Sequence, residues 1–162
     1  MTKPVYTIDK GKQEMFLTRT FDVPRELVFK TINDPELIPQ WWGPRYLTTR
    51  VEEMEVRPGG RWRYVQRDPE GHVHGFHGVY HDIAPPERVV STFEYEGVPG
   101  HACLQTLTLE DLGGNKTKLV MQSVFQSVAD RDGMVESGME SGATEMMDRL
   151  EELLAAARVQ TR

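Results

Sequence analysis

Residues 47–125 form a succession of short stretches in which polar and apolar residues alternate, separated by turn sequences such as "DPEG" (68–71) and "DLGGNK" (111–116). Strands joined by such short turns pair antiparallel, and one face of the resulting sheet must be covered. The stretch long enough to cover it is amphipathic, starts near Ser127 or Asp130 and runs to the end of the chain. The pattern predicts an α+β fold with a curved antiparallel sheet of about six or seven strands wrapped on a long C-terminal helix.

The residues before this run predict one further strand and a pair of helices. "EMFLTRTF" (14–21) has the alternation of a strand. Asp22 is the expected N-cap of a first short helix with Pro24 in its first turn, and Pro35 and Pro39 bracket a second one. The first 12 residues are polar, and we expect them to be loosely ordered. The expected organisation is a polar segment at 1–12 and a single domain at 13–158.

The overall composition narrows the class of protein. The chain has 162 residues, of which 38% are hydrophobic and 27% charged, and its formal net charge is −6. These values fit one globular domain and disfavour nonspecific binding to nucleic acid. No apolar run approaches the roughly 20 residues that span a bilayer, and the N-terminus has no signal-peptide core. We therefore expect a soluble, cytoplasmic protein with no membrane span, either a monomer or a homodimer.

Cysteine and histidine are the residue types that most often indicate a metal site. Cys103 is the only cysteine, and its strand-like surroundings predict a small buried apolar residue. "GHVHGFHGVYHD" holds His72, His74, His77 and His81, but the last two have the opposite strand parity to the first two. No acidic ligand follows at a suitable spacing. We therefore expect exposed strand histidines, with no metal and no cofactor.

Four arginines lie close together in the sequence, and two interpretations stay open for them. They are Arg57, Arg61, Arg63 and Arg67, of which the last three share one strand face. They form either the solvated outer face of a sheet or a docking patch for an acidic partner.

The C-terminal stretch "SGMESGATEMMDRLEELLAA" (137–156) has one wide apolar face and carries two glycines. Gly138 falls at the edge of that face, beside a turn-rich entry, whereas Gly142 falls inside it between Met139 and Met146. Glycine weakens a helix interior by about 1 kcal/mol relative to alanine. Gly142 therefore either lets a strand backbone approach the helix or leaves space for a ligand beside two flexible methionines.

Three stretches carry a resemblance to a known family: "FDVPRELVFKTINDPELIPQWWGP" (21–44), "RPGGRWRYVQRDPEGHVHGFHGVYHDIAPPERVVSTFEYE" (57–96) and "FQSVADRDGMVESGMESGATEMMDRLEELLA" (125–155). They are similar to a branch of the helix-grip superfamily (START, Bet v 1-like or SRPBCC proteins), the one named for the activator of Hsp90 ATPase. The resemblance implies a cavity between sheet and helix, where relatives bind lipids, sterols, hormones or polyketides. The cochaperone that names the branch binds Hsp90 and has a separate N-terminal domain, which we do not expect here.

Strand parity and the helix face predict the side chains that line such a cavity. Trp62 and Tyr64 share the inward face of their strand, and aromatic side chains with polar tips suit a pocket for an apolar ligand. The predicted ligand-binding residues are Trp42, Trp62, Tyr64, Phe76, Tyr80, Phe93, Tyr95, Met121, Phe125, Met139, Gly142 and Met146. Each of them also fits plain core packing.

For one strand, the sequence does not decide which set of side chains faces inward. Phe76 and Tyr80 share one parity, while apolar Val73, Val79 and Ile83 take the other. Which set faces inward depends on where the strand bulges.

The expected function is the binding of a small apolar ligand in this cavity, for sequestration, transport or sensing. The alternative is a protein-interaction module that acts on an Hsp90-type chaperone or in a stress response. An enzyme acting on a cyclic or polyketide-like substrate is the third hypothesis, although the sequence has no nucleophile elbow, P-loop or dinucleotide fingerprint. Asp82, His77 or Glu94 could act as acid or base only if a strand turns them inward, so no catalytic residue is predicted.

Overall fold

The structure, a computed structural model, describes residues 3–160. Its elements follow the predicted order, with one further strand at the start and one further helix before the last. Their bounds are β1 Val5–Thr7, β2 Glu14–Phe21, α1 Arg25–Ile32, α2 Ile38–Trp41, β3 Thr48–Met54, β4 Arg61–Arg67, β5 Val73–Ala84, β6 Arg88–Tyr95, β7 Cys103–Gly113, β8 Lys116–Val124, α3 Val128–Glu136 and α4 Met139–Gln160. Within the described range, no helix combines the length and apolar character that crossing a membrane requires.

The strands form one antiparallel sheet of eight in the order β1-β2-β8-β7-β6-β5-β4-β3. From β3 to β8 the chain is a meander in which each strand pairs with the next. β8 then pairs with β2, and α1 and α2 connect β2 to the opposite edge of the sheet. The predicted α+β fold, with a curved antiparallel sheet and a C-terminal helix, is confirmed.

The eighth strand is the one that the sequence pattern does not predict. β1 lies within the polar segment expected to be loosely ordered, yet it pairs with residues 16–18 of β2. The hydroxyl group of Tyr6 also donates a hydrogen bond to the carbonyl oxygen of Glu140 in α4, at 3.0 Å. Loose order is therefore wrong for β1, because a backbone ladder and a tyrosine contact hold it to the domain.

A β-bulge decides which side chains of β5 face inward. The register with β6 shifts between Tyr80 and Asp82, and a bulge turns the side chains beyond it toward the other face. Phe76 and Tyr80, before the shift, pack with the apolar core on the inner face, and Ile83, after it, packs against the same core. Val73 remains outside, 53% exposed.

The predicted long C-terminal helix is present as α4, but it begins at Met139 and not near Ser127 or Asp130, because a separate helix, α3, precedes it. Ser127 caps α3, because its hydroxyl group accepts a hydrogen bond from the amide nitrogen of Asp130 at 3.0 Å. At the other end, Gly138 has a φ of +83°. Glycine adopts this left-handed conformation with little strain, and it commonly ends a helix. α4 begins at the next residue, Met139.

The pair of short helices is confirmed, but the expected N-cap of the first one is wrong. Pro24 occupies the N-cap position of α1, and no side chain caps it. Asp22 lies before that position. The chain there is held instead by Thr117 of β8, whose hydroxyl group donates to the carbonyl oxygen of Val23 at 2.7 Å.

The core lies between the inner face of the sheet and the three helices α1, α2 and α4. Val28 of α1, Ile38 of α2 and Leu150 and Leu154 of α4 are each at most 1% exposed. Cys103 of β7 is also buried, and burial raises the pKa of its thiol to about 12. The prediction that Cys103 is a small buried apolar residue is confirmed.

Candidate functional site

Aromatic side chains from β4, β5, β6 and the segment after α2 pack against one another on the inner face of the sheet. Trp42 lies edge-on against Tyr64 and Phe76, with ring centroids 5.0 and 5.2 Å apart. Phe76 stacks on Tyr95 at 5.1 Å and lies 5.7 Å from Phe93. We call this set the aromatic cluster, and its members are Trp42, Trp62, Tyr64, Phe76, Phe93 and Tyr95.

Exposure divides the predicted aromatic residues into two groups. Trp62, Tyr64 and Tyr80 are each 5% exposed and belong to the closed core. The other members of the aromatic cluster are only half-buried: Trp42, Phe76, Phe93 and Tyr95. Aromatic rings in a filled core lose almost all of their exposure, so these four still reach solvent. The inner face therefore presents an accessible aromatic surface.

Trp62 has a structural task that its position in β4 alone does not reveal. Its indole Nε1 donates a hydrogen bond to the backbone carbonyl oxygen of Thr92 in β6, at 3.2 Å. It reaches that atom across Gly78, where a Cβ would overlap both the Thr92 oxygen and the indole nitrogen. Trp62 thus satisfies a carbonyl group near the β5–β6 irregularity, and Gly78 leaves the space.

The two buried phenols stay neutral at physiological pH. Burial raises the pKa of Tyr80 to about 12, and burial likewise holds the pKa of Tyr64 well above its ordinary value. The Tyr64 hydroxyl group lies 3.6 Å from the sulfur atom of Met54. These phenols therefore act as packed, uncharged groups behind the accessible rings.

A polar pair marks the end of the aromatic cluster. Nδ1 of His74 lies 2.9 Å from the hydroxyl oxygen of Tyr95, within hydrogen-bonding distance. Both side chains are half-buried. An apolar surface with a few polar groups is typical of small-molecule binding sites.

Methionine side chains and Phe125 extend the surface toward the helices. Met121 and Met146 are half-buried against the main core. Met139 packs against a smaller cluster that includes Phe125, and Phe93 packs against both clusters. With the exception of Gly142, the predicted ligand-binding residues thus belong to one connected set of packed side chains, and their part in binding stays a prediction.

Gly142 has a different neighbour from either of the two expected ones. A Cβ built on it would have its nearest contact with the ring of Pro44, at 3.9 Å, and no strand backbone lies within 4 Å of it in the described chain. The interpretation in which a strand backbone packs against Gly142 is therefore wrong. Gly142 faces the segment after α2, and its role toward a ligand stays a prediction.

One concave feature of the surface lies away from the aromatic cluster. It is a cavity of about 60 Å³ between the end of β2 and α4, lined by residues that include Phe21, Val23 and Leu154. Ligand sites usually measure roughly 300–1,000 Å³, so this cavity holds no more than a few water molecules. A ligand of ordinary size therefore does not fit this cavity.

Arg19 is the inner-face residue that sequence reasoning missed. Its side chain is fully buried, and its guanidinium group forms ion pairs with Asp148 and Glu151 of α4, both at 2.8 Å. These contacts fix the middle of α4 against β2. The sequence does indicate that Arg19 faces inward, because it has the same strand parity as Met15 and Leu17 in "EMFLTRTF".

Three of the four clustered arginines are paired with carboxylates on the outer face. Arg57 pairs with Glu55 and Arg61 with Glu53, at 2.7 and 3.3 Å. Arg63 pairs with Glu96 at 2.8 Å. Because most of their charge is compensated locally, the arrangement favours a solvated outer face over a docking patch for an acidic partner.

The residues considered for acid–base chemistry lie away from the aromatic surface. His77 and Glu94 are opposite one another on the outer face of β5 and β6, and Nδ1 of His77 lies 2.9 Å from a carboxylate oxygen of Glu96. Asp82 is paired with Arg88 at 2.7 Å. The hydrogen bond from Arg63 lowers the pKa of Glu96 to about 2, so this group is an ionised carboxylate in a charge network.

A set of ligating atoms within 4.8 Å of one another occurs at the turn between β4 and β5. It consists of Asp68, Glu70 and His72. Two of its three members are exposed, and Asp68 already accepts hydrogen bonds from the backbone amides of the other two. These contacts are those of a turn whose Asp side chain fixes the backbone.

An antiparallel sheet wrapped on a C-terminal helix is the arrangement of a helix-grip protein. The family model described as activator of Hsp90 ATPase homolog 1-like protein matches residues 22–155. The chain belongs to this family, and the resemblance in its sequence is confirmed.

Solved structures share the fold. A crystal structure of a protein from Rhodobacter sphaeroides has a TM-score of 0.85 at 28% identity and covers 93% of this chain and 98% of its own. A solution structure of a protein from Arthrobacter aurescens has a TM-score of 0.86 at 24% identity, over 94% and 91%. DynU16, a protein of the dynemicin biosynthetic locus, has a TM-score of 0.69 at 19% identity over 90% of this chain and 48% of its own. A comparison with curated proteins finds no match.

Proposed function

We propose that this protein binds a small, mainly apolar molecule that contains at least one ring, on the inner face of the sheet beside α4. Binding would serve sequestration, transport or sensing. The observation that carries the proposal is the half-buried part of the aromatic cluster, in which Phe76 is in contact with Trp42, Phe93 and Tyr95. Covering accessible aromatic area with a flat apolar ligand is favourable by roughly 25 cal/mol per Å².

The surroundings of the cluster also suit this function. Met139 and Met146 lie on α4, and methionine side chains adapt to ligands of different shape. The break at Gly138 separates α3 from the start of α4, so the two helices that border the inner face are independent elements. A surface bordered by flexible side chains accepts a range of related apolar molecules.

The test is titration with N-phenyl-1-naphthylamine, a neutral apolar dye whose fluorescence rises in apolar surroundings. We expect saturable binding by the unmodified protein. Phe76→Glu should weaken it by about tenfold or more, because the new carboxylate must be desolvated when the dye binds. The matched control is Val73→Glu on the opposite face of the same strand, which should leave the dissociation constant unchanged.

Two results would contradict the proposal. One is the absence of saturable binding to a protein shown to be folded by circular dichroism. The other is an equal effect of Phe76→Glu and Val73→Glu, since binding would then not involve the inner face.

An interaction with an Hsp90-type chaperone is the second candidate function, and the family match supports it. The ion pairs of Arg57, Arg61 and Arg63 do not favour these arginines as the docking surface. The discriminating experiment is an ATPase assay with the chaperone of the same host at low salt. Stimulation would support this function, whereas no stimulation and no binding would exclude it.

A further inference from the structure

A row of polar side chains crosses the inner face between apolar rows. Ser91 of β6 is paired in register with Gln105 of β7, and Gln105 is paired with Ser123 of β8. Side chains of directly opposite residues in an antiparallel sheet point to the same face. Ser123 is 7% exposed, and Ser91 and Gln105 are half-buried. We call these three residues the polar row.

The neighbours of the polar row on both sides are apolar. Phe93 and Cys103 are paired with each other two positions toward one end of β6 and β7. Leu107 and Met121 are paired with each other toward the other end. Phe93 is a member of the aromatic cluster, and Met121 packs against the main core. The polar row therefore adjoins the proposed ligand surface directly.

The polar row has hydrogen-bonding capacity that the protein does not use. The side-chain nitrogen of Gln105 donates to the hydroxyl oxygen of Ser123 at 3.3 Å. Within the part of the chain that the structure describes, no group donates to the amide oxygen of Gln105, and the Ser91 hydroxyl group has no side-chain or backbone partner. An amide has two donors and an acceptor, and each serine hydroxyl group can donate or accept.

We propose that the polar row recognises one neutral hydroxyl or carbonyl group on the ring-containing ligand. The inference rests on the proposed function and specifies the class of ligand. Polar groups inside an apolar site gain most from a partner that satisfies them, and they discriminate against analogues that lack it.

Charge on the inner face indicates that the recognised group is neutral. Arg19 is an inner-face cation of β2, two positions from Leu17, which is the register partner of Met121. Its guanidinium group is already paired with Asp148 and Glu151. A ligand carboxylate would therefore lose its hydration without gaining a free cation, which is unfavourable.

The experiment compares 2-naphthol with 2-methylnaphthalene, which have the same ring system and similar size but differ in one hydroxyl group. Their dissociation constants are measured by displacement of N-phenyl-1-naphthylamine. The unmodified protein should prefer 2-naphthol by about fivefold to tenfold, the usual worth of one hydrogen bond between neutral groups.

Gln105→Leu removes the amide while nearly keeping the side-chain volume. It should abolish the preference for 2-naphthol and leave the affinity for 2-methylnaphthalene equal or higher. Thr106→Val is the matched control, because it replaces a polar side chain on the next residue, which faces the other side of β7. It should leave the preference intact. Ser91→Ala is the second variant if Gln105→Leu does not fold, and it should lower the preference twofold to threefold, roughly half of a full hydrogen bond.

The outcomes distinguish a failure of the proposed function from a failure of the proposed role of the polar row. If the protein binds neither the dye nor the naphthalenes, the proposed function fails and the polar row has no ligand to recognise. If both naphthalenes bind equally to the unmodified protein, or if Gln105→Leu and Ser91→Ala keep the preference, recognition by the polar row is disproved. Binding of an apolar ligand on the inner face would still be supported.

Discussion

Arg19 shows how a single residue joins the sheet to the helix that covers it. Its side chain is fully enclosed, while the two carboxylates that meet its charge, those of Asp148 and Glu151, retain 38% and 25% of their exposure. Burying a guanidinium group is costly unless its charge is compensated. Arg19 therefore requires α4 to lie in one register on β2, and it limits how far the middle of α4 can move.

Replacing Arg19 with methionine should lower the free energy of unfolding by about 2–4 kcal/mol, because two neighbouring carboxylates lose their buried partner. Urea unfolding followed by circular dichroism measures this. The control is Arg45→Met, which removes an exposed ion pair with Glu152 and should cost less than about 1 kcal/mol. Equal losses for the two variants would contradict the structural role of Arg19.

The pKa of Glu96 predicts a pH-dependent contribution to stability. This carboxyl group faces Arg63 and His77, and the hydrogen bond from Arg63 lowers its pKa from 4.5 to about 2. A folded-state pKa below the unfolded one stabilises the folded protein above pH 4.5, and the contribution is lost as the pH falls from 4.5 toward 2. Glu96→Gln should therefore destabilise the protein at pH 7 by about 1 kcal/mol or less.

The measurement is urea unfolding of the unmodified protein and Glu96→Gln at several values between pH 7 and pH 2.5. The difference between the two should shrink as the pH falls. A difference that stays constant over this range would mean that the ionised carboxylate is not what stabilises the fold.

For a single residue, the sequence predicts which face of the sheet its side chain lies on better than which group that side chain contacts. The parity of β4 places Trp62 and Tyr64 inside, as the structure shows. It does not reveal that the Trp62 nitrogen bonds to Thr92 across Gly78. Such a contact depends on the space left by Gly78 on the neighbouring strand, which leaves no mark on the periodicity of β4.

Among the elements, the two glycines of the C-terminal region have opposite roles. Gly138 lies between α3 and α4 in a left-handed conformation, whereas Gly142 lies inside α4 with only the ring of Pro44 near its missing Cβ. The first glycine permits a change of chain conformation, and the second weakens a helix without a packing reason.

Substitution by alanine should therefore have opposite effects at the two positions. Gly138→Ala should destabilise the protein by about 1 kcal/mol, because alanine is strained at a positive φ. Gly142→Ala should stabilise it by about 0.5–1 kcal/mol, because helix propensity rises and the new methyl group makes an ordinary contact. Thermal unfolding of the two variants gives the signs, and changes of the same sign would show that this account of the helix break is wrong.

Strand order and the existence of the helix pair are predictable because periodicity and turn residues act locally. The break between α3 and α4 is partly predictable: Gly138 at the edge of the apolar face, beside a turn-rich stretch, indicates it, but the pattern does not predict a separate helix before it. β1 could not be predicted for another reason. Its three residues are too few to show a period, and pairing with β2 decides their structure.

For the molecule as a whole, the central feature is a helix-grip core that is closed at one end and open at the other. Leu150 and Leu154 of α4 are fully buried at the closed end. Phe93, Met121 and Met139 remain half-buried elsewhere on the inner face. The family resemblance predicts an enclosed cavity, whereas the structure presents an accessible aromatic surface whose occupant depends on side-chain contacts that no sequence pattern describes.

The most direct test is an isotope-filtered NOE experiment on methyl-labelled protein with unlabelled 2-naphthol. If the ligand binds on the inner face, the naphthol ring should give NOEs to the methyl groups there, those of Met121 and Met139 in particular. Val120 and Val124 serve as controls, because they alternate with Met121 along β8 and face the other side of the sheet. NOEs confined to Val120 and Val124, or none to the inner-face methionines at saturating 2-naphthol, would contradict the account.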